Sequence, residues 1–190
     1  MRRRLHFQLV FAVLVLACPG LGPVQTPVLP PGPTVAGFDT RTYPGAEAMQ
    51  AWLRNSPYTW VGYYLSAPCY TGTSWVGKRA ELQAQGWGTA VLFVGEQDWR
   101  AMGRSDTAGV GTQNPRCTAS NLTEANGRLH ANAADSAALA EGFETDRIIF
   151  LDVERVDSVS AALRTYVQAW TAQLLANGRF IPGLYAHERN

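Results

Sequence analysis

The chain has 190 residues, 46% of them hydrophobic and 16% charged, with a formal net charge of +1. That length and apolar share suit one domain with a substantial core, and the near-neutral charge excludes a surface built mainly for nucleic-acid phosphates. No P-loop and no G-x-G-x-x-G occurs, so no nucleotide cofactor is expected.

The chain opens with Met1, Arg2, Arg3 and Arg4, and residues 5–17 are mostly apolar. That run is too short to span a bilayer comfortably, so residues 1–18 read as a signal peptide. It ends Val15, Leu16, Ala17, Cys18, which resembles a bacterial lipobox and would put a lipid on Cys18. A plain cleaved signal or an uncleaved anchor fits the same residues. Residues 19–34 hold Pro23, Pro27, Pro30, Pro31 and Pro33 and read as an extended spacer. The expected location is outside the cytoplasm, extracellular or at the cell envelope, with any membrane attachment made through the leader or its lipid. Cys69 and Cys117 then remain, an even pair that in an exported protein points to a disulfide. No Cys/His cluster has metal-ligand spacing, and only His130 and His187 lie outside the leader, so no metal site is expected.

Residues 35–190 alternate between apolar strands and helices. Residues 35–39 predict a short strand ending in Asp39, and residues 46–55 a helix stopped by Ser56 and Pro57. Residues 58–65 are aromatic and β-branched, a second strand by composition. A loop with Pro68, Cys69 and Gly72 leads to a helix over 74–85, with Gly86 as its stop. Residues 89–94 are apolar throughout and predict a buried third strand. Residues 95–127 show no periodicity and predict a long loop, a feature that usually carries function. Residues 129–141 predict an alanine-rich helix. Later, Asp157 or Ser158 is expected to cap a helix in which Leu163, Val167, Trp170 and Leu174 recur at helical spacing, with Gly178 just past its end. Residues 181–186 predict a fifth strand.

Between those helices lies the most informative stretch, 147–154. Ile148, Ile149, Phe150 and Leu151 are an uninterrupted apolar run, as in a strand buried on both faces of a parallel sheet. Asp152 and Glu154 follow, on one side of the strand, with Cβ atoms ~6.6 Å apart. Active sites of parallel α/β folds gather at the carboxyl ends of strands, and two acids there suit glycoside hydrolysis. Pairing with arginines or capping the next helix is the competing reading. The same choice holds at Asp39, between substrate contact and a helix cap. Tyr64 and Tyr185 fall near strand ends, where rings stack on sugars or pack in the core with the hydroxyl at the rim. Gln97 follows the third strand and either bonds a sugar or is a polar loop residue. Trp75, Trp87 and Trp99 read as core or loop packing.

The order is therefore an α/β chain with (βα) repeated four times, then β. It predicts either an open doubly wound sheet or part of a (β/α)₈ barrel. A complete barrel typically takes ~250 residues, so the barrel reading implies about five strands with an exposed edge at the first or fifth.

Several segments occur together in a distinctive order: Gly37, Phe38, Asp39; residues 60–65; Gly86 and Trp87 followed by 91–97; the alanine-rich helix around Asp135; 150–154; and Pro182 to Tyr185. Over 35–187 this resembles the exported bacterial glycoside-hydrolase-like domain, itself similar to the family-25 lysozyme-type muramidases. The resemblance implies a TIM-type (β/α) barrel, here incomplete, and a glycan or peptidoglycan partner. It also implies Glu154 as general acid, Asp152 as charge stabiliser or substrate orienter, and Asp39 as the acid ending the first strand. The two functional expectations are a glycosidase acting on cell-wall or related glycan, and a non-catalytic envelope protein binding glycan in the same cleft.

Overall fold

The computed structural model describes residues 35–98, 117, 119–153 and 158–186; Cys18, Trp99, Glu154, Asp157 and His187 lie outside them. Five strands and four helices alternate: β1 (Ala36–Phe38), α1 (Ala46–Asn55), β2 (Tyr58–Tyr64), α2 (Arg79–Gln85), β3 (Gly88–Val94), α3 (Glu124–Ala140), β4 (Ile148–Val153), α4 (Ala161–Asn177) and β5 (Ile181–Ala186). The strands form one sheet in the order β1-β2-β3-β4-β5, parallel throughout. The predicted strand–helix alternation is present, in sequential order. Among the described residues no helix is long and apolar enough to cross a membrane.

The apolar runs explain the layering. One face of the sheet carries Val61, Tyr63, Val91, Phe93, Ile149, Leu151 and Val153, all buried. Helices cover that face: Phe38 packs edge-on against Trp52 of α1, and Phe93 against His130 of α3. The other face carries alternate residues of the same strands, and there small meets large. A Cβ on Gly37 would lie 2.0 Å from the Trp60 ring, one on Gly183 2.6 Å from the Phe150 ring, and one on Gly62 2.6 Å from Asp39 Cβ.

Those glycines let the sheet bend strongly. Laid flat, strands ~4.8 Å apart would put β1 and β5 about 19 Å from each other. Yet the Tyr185 hydroxyl on β5 donates to Asp39, just past β1, at 2.5 Å. Two side chains cannot bridge the flat distance, so the sheet is curled with the helices outside. It is not closed: β1 and β5 are its edges and are not paired with each other.

Three helix starts differ from expectation. The second helix begins at Arg79 because residues 73–78 form tight turns through Gly77, whose φ of +75° suits glycine, while the buried Trp75 indole donates to the Thr40 carbonyl at 3.0 Å. The third begins at Glu124, inside the stretch expected to be loop. Thr123 caps it by accepting from the Asn126 amide at 3.2 Å. Its Gly127 is there for packing: a Cβ would lie 2.6 Å from the Tyr166 carbonyl oxygen of α4. The cap of α4 is Ser160, which accepts from Leu163 N–H at 3.1 Å, in place of Asp157 or Ser158.

Cys69 and Cys117 form the expected disulfide, with Cα atoms 5.5 Å apart, joining the loop after β2 to the segment before α3. Replacing both by alanine is expected to cost about 4 kcal/mol of unfolding free energy, from the loop of about 49 residues left unclosed. Urea unfolding of variant and oxidised parent checks it.

His130, 4% exposed, places Nδ1 2.7 Å from the Tyr166 hydroxyl. That hydroxyl accepts the Glu96 amide at 3.2 Å, so it is free to donate to a neutral imidazole. Burial holds the His130 pKa below its ordinary value. The unfolded chain therefore binds a proton more readily than the fold. The neutral-ring contribution is full above the unfolded pKa of ~6.5 and is lost as pH falls through the lower folded value. Stability measured by urea unfolding at stepped pH should fall on the acid side of that point, and more gently in His130→Gln. An unchanged acid limb would remove His130 as its source.

Candidate functional site

Strand direction gathers the polar residues at one end of the curled sheet. Asp39 follows β1, Tyr64 ends β2, Asp152 lies near the end of β4 and Tyr185 near the end of β5. Register places Asp152 beside Val94 on one neighbour and beside Tyr185 on the other. By alternation all four point to the concave face, the side away from the helices.

Asp39 is the hub. Its Oδ1 accepts from the Tyr64 hydroxyl at 2.8 Å and its Oδ2 from the Tyr185 hydroxyl at 2.5 Å. Tyr64 is 8% exposed and stacks on Tyr70 with ring centroids 5.4 Å apart. The Tyr70 hydroxyl in turn donates to the Arg41 carbonyl at 2.5 Å. The Tyr64 and Tyr185 pKa values are both raised far above the ordinary tyrosine range. Burial is the largest cause, followed by the hydrogen bond to Asp39 and the charges of Asp39 and Asp152. Both phenols thus stay protonated donors, and the field of Asp152 reaches both rings. Asp152 itself is 5% exposed.

The wall beside this cluster comes from the residues after β3. Glu96, Gln97 and Asp98 are all buried. Gln97 donates its amide to the Asp152 carbonyl at 2.8 Å and to the Gly95 carbonyl at 3.3 Å, latching the ends of β3 and β4 together. Asp98 accepts from the Ser160 hydroxyl at the start of α4. Glu96 places a carboxylate oxygen within 4.8 Å of the sulfurs of Cys69 and Cys117. Metal binding by cysteine requires the thiolate, and both sulfurs are bonded to each other, so this trio is not a cation site. Glu96 and Asp98 were not singled out in the sequence. Their signal was three consecutive polar residues one glycine after an apolar strand.

The structure thus brings Asp39, Tyr64, Asp152 and Tyr185 into one cluster, with Gln97 behind it. Trp75 and Trp87 are buried in the core. Glu154 lies outside the described residues. The cluster offers two carboxylates, two phenolic oxygens and aromatic faces on one concave surface. That set can bond sugar hydroxyls and stack on sugar rings.

The sequence model of a family described as "Rv2525c-like, glycoside hydrolase-like domain" matches residues 50–190. Among solved structures, that of an uncharacterized protein of B. stearothermophilus is similar, with a TM-score of 0.52 at 19% identity. The match covers 79% of this chain and 59% of that one, so this chain spans about three fifths of that protein, and at such identity the likeness concerns the fold. No curated protein matches the chain.

Asp39→Asn removes a charge that both tyrosines feel while leaving them buried. Ultraviolet titration of tyrosinate should show Tyr64 and Tyr185 moving back toward the ordinary value without reaching it, since burial is the larger cause. Titration curves identical to the parent's would show that Asp39 does not hold the pair.

Proposed function

The chain belongs to the Rv2525c-like, glycoside hydrolase-like domain family, and from that membership we propose an exported protein that handles a cell-wall or related glycan. The five-stranded sheet is read as the arc of a TIM-type (β/α) barrel, with the glycan site at the carboxyl ends of its strands. The single observation that carries this reading is the Asp39 carboxylate held by Tyr64 and Tyr185, with Asp152 alongside.

In the catalytic form of the proposal, Glu154 protonates the glycosidic oxygen as the bond to it breaks, Asp152 stabilises the positive charge developing on the sugar or orients its substituent, and water adds to the anomeric carbon and restores the proton lost by the enzyme. Asp39 is a positioning residue, since both of its oxygens already accept hydrogen bonds from tyrosine. Tyr64 and Tyr185 bind sugar through the edges and faces of their rings. Gln97 acts through Asp152, whose main chain it holds. That mutual engagement of the polar groups also favours the second reading, a non-catalytic glycan-binding protein using the same cleft.

Export is proposed from the leader at 1–18, cleaved or acylated at Cys18, and from the disulfide, which suits an oxidising compartment. The spacer at 19–34 would hold the domain off the membrane or wall.

Incubation with purified peptidoglycan tests the proposal. Release of reducing ends that falls on the order of 10²–10⁴-fold in Glu154→Gln, with glycan binding retained, supports the glycosidase. Asp152→Asn should impair turnover to a lesser degree. Binding without release, unchanged in Glu154→Gln, supports the binding protein. Neither binding nor release across cell-wall glycans would overturn both.

A further inference from the structure

At the opposite end of the sheet, where β3 and β4 begin, lies a pocket of about 130 Å³ on the helix-covered side. Its walls come from α2, the start of β3 and the turn between α3 and β4. Its lining includes two donor-only side chains, Arg79 and Arg147, beside Gln83 and Thr89, which can donate as well as accept. Trp87 also lines it, 5% exposed, with an indole N–H that is buried and has no hydrogen-bond partner among the described residues. Neither guanidinium has an ion-pair partner among those residues. Arg79 is nonetheless held in place, its guanidinium 5.4 Å from the centre of the Phe143 ring. Glu144, exposed at the same pocket, is its one carboxylate.

We propose that this pocket binds an oxyanion, either a free phosphate or the phosphate group of a larger ligand. A restrained guanidinium presents a planar fork that matches the oxygens of a phosphate, and the second guanidinium, Arg147, lines the same small pocket. Two guanidiniums against one carboxylate leave the lining net positive. The pocket is separate from the Asp39–Asp152 cluster, which sits at the other ends of the same strands, so it does not depend on the glycan reading. Nothing in the barrel reading assigns it a task.

The test is a titration of the full chain with inorganic phosphate, at ionic strength held constant with sodium chloride. The readout is the indole N–H resonance of Trp87, identified by its loss in Trp87→Phe. The expected result is a saturable shift of that resonance which chloride alone does not cause. Arg79→Gln and Arg147→Gln should each weaken binding about tenfold, the loss of a charge-assisted hydrogen bond. Glu144→Gln, an exposed substitution that leaves the fold alone, should tighten it. The thermal midpoint of the unaltered protein should rise with phosphate. Glycerol 3-phosphate is the second probe. Tighter binding than phosphate identifies the group as part of a larger ligand, and weaker binding identifies the free ion. No saturable shift with either probe, an equal shift with chloride, or full affinity in both arginine variants with no gain in Glu144→Gln would overturn the proposal.

Discussion

The carboxylate of Asp39, gripped by a tyrosine hydroxyl from each side, is the interaction on which both the shape and the site depend. A half-buried carboxylate must be hydrogen-bonded to remain ionised at low cost. Its two donors come from β2, the adjacent strand, and from β5, the far edge of the sheet. Satisfying Asp39 therefore requires the sheet to curl until its edges approach. The curl in turn requires small residues on the concave face, and Gly37, Gly62 and Gly183 stand where a Cβ would strike Trp60, Asp39 or Phe150. Sequence, curvature and polar cluster form one chain of cause.

The convex side makes the same demand by different means. Crowding Tyr166 against Gly95 and Glu96 places its hydroxyl where one buried amide and one buried imidazole both need it. Gln97 then ties the strand end so fixed to the main chain of Asp152. The polar cluster is thus braced from behind by α3 and α4, whose close crossing needs Gly127. Groups with roles at the concave surface are set on rigid strand ends, and groups that hold them face the helices.

Most strands could be read from the chain because their apolar runs are continuous and their ends carry turn residues. Asp39, Asp152, Tyr64 and Tyr185 were also legible, as polar residues at the carboxyl ends of such runs. The helix starts were not. Gly127 and Asn126 read as loop by propensity, and only contact with α4 and the Thr123 cap explains why they are helical. Nor was the curl. Glycines and large rings alternate across neighbouring strands, so the pattern exists only once register is known. Glu96 and Asp98 were hidden in a stretch without periodicity, since burial of a carboxylate is decided by what folds over it.

A net charge of +1 conceals a difference between the two ends of the sheet. The half-buried Asp39 and the buried Glu96, Asp98 and Asp152 lie at or beyond the carboxyl ends of strands, while Arg79, Arg147 and Glu144 line the pocket where β3 and β4 begin. Asp39 turns to neutral donors, the Tyr64 and Tyr185 hydroxyls, whereas the buried Asp135 pairs with Arg179. At Asp39 the two neutral donors leave the carboxylate charge on the concave surface, whereas a salt bridge would neutralise it. The sheet thereby presents the Asp39 carboxylate among tyrosine rings at one end and two guanidiniums with one carboxylate at the other. One small sheet thus has two chemically different ends.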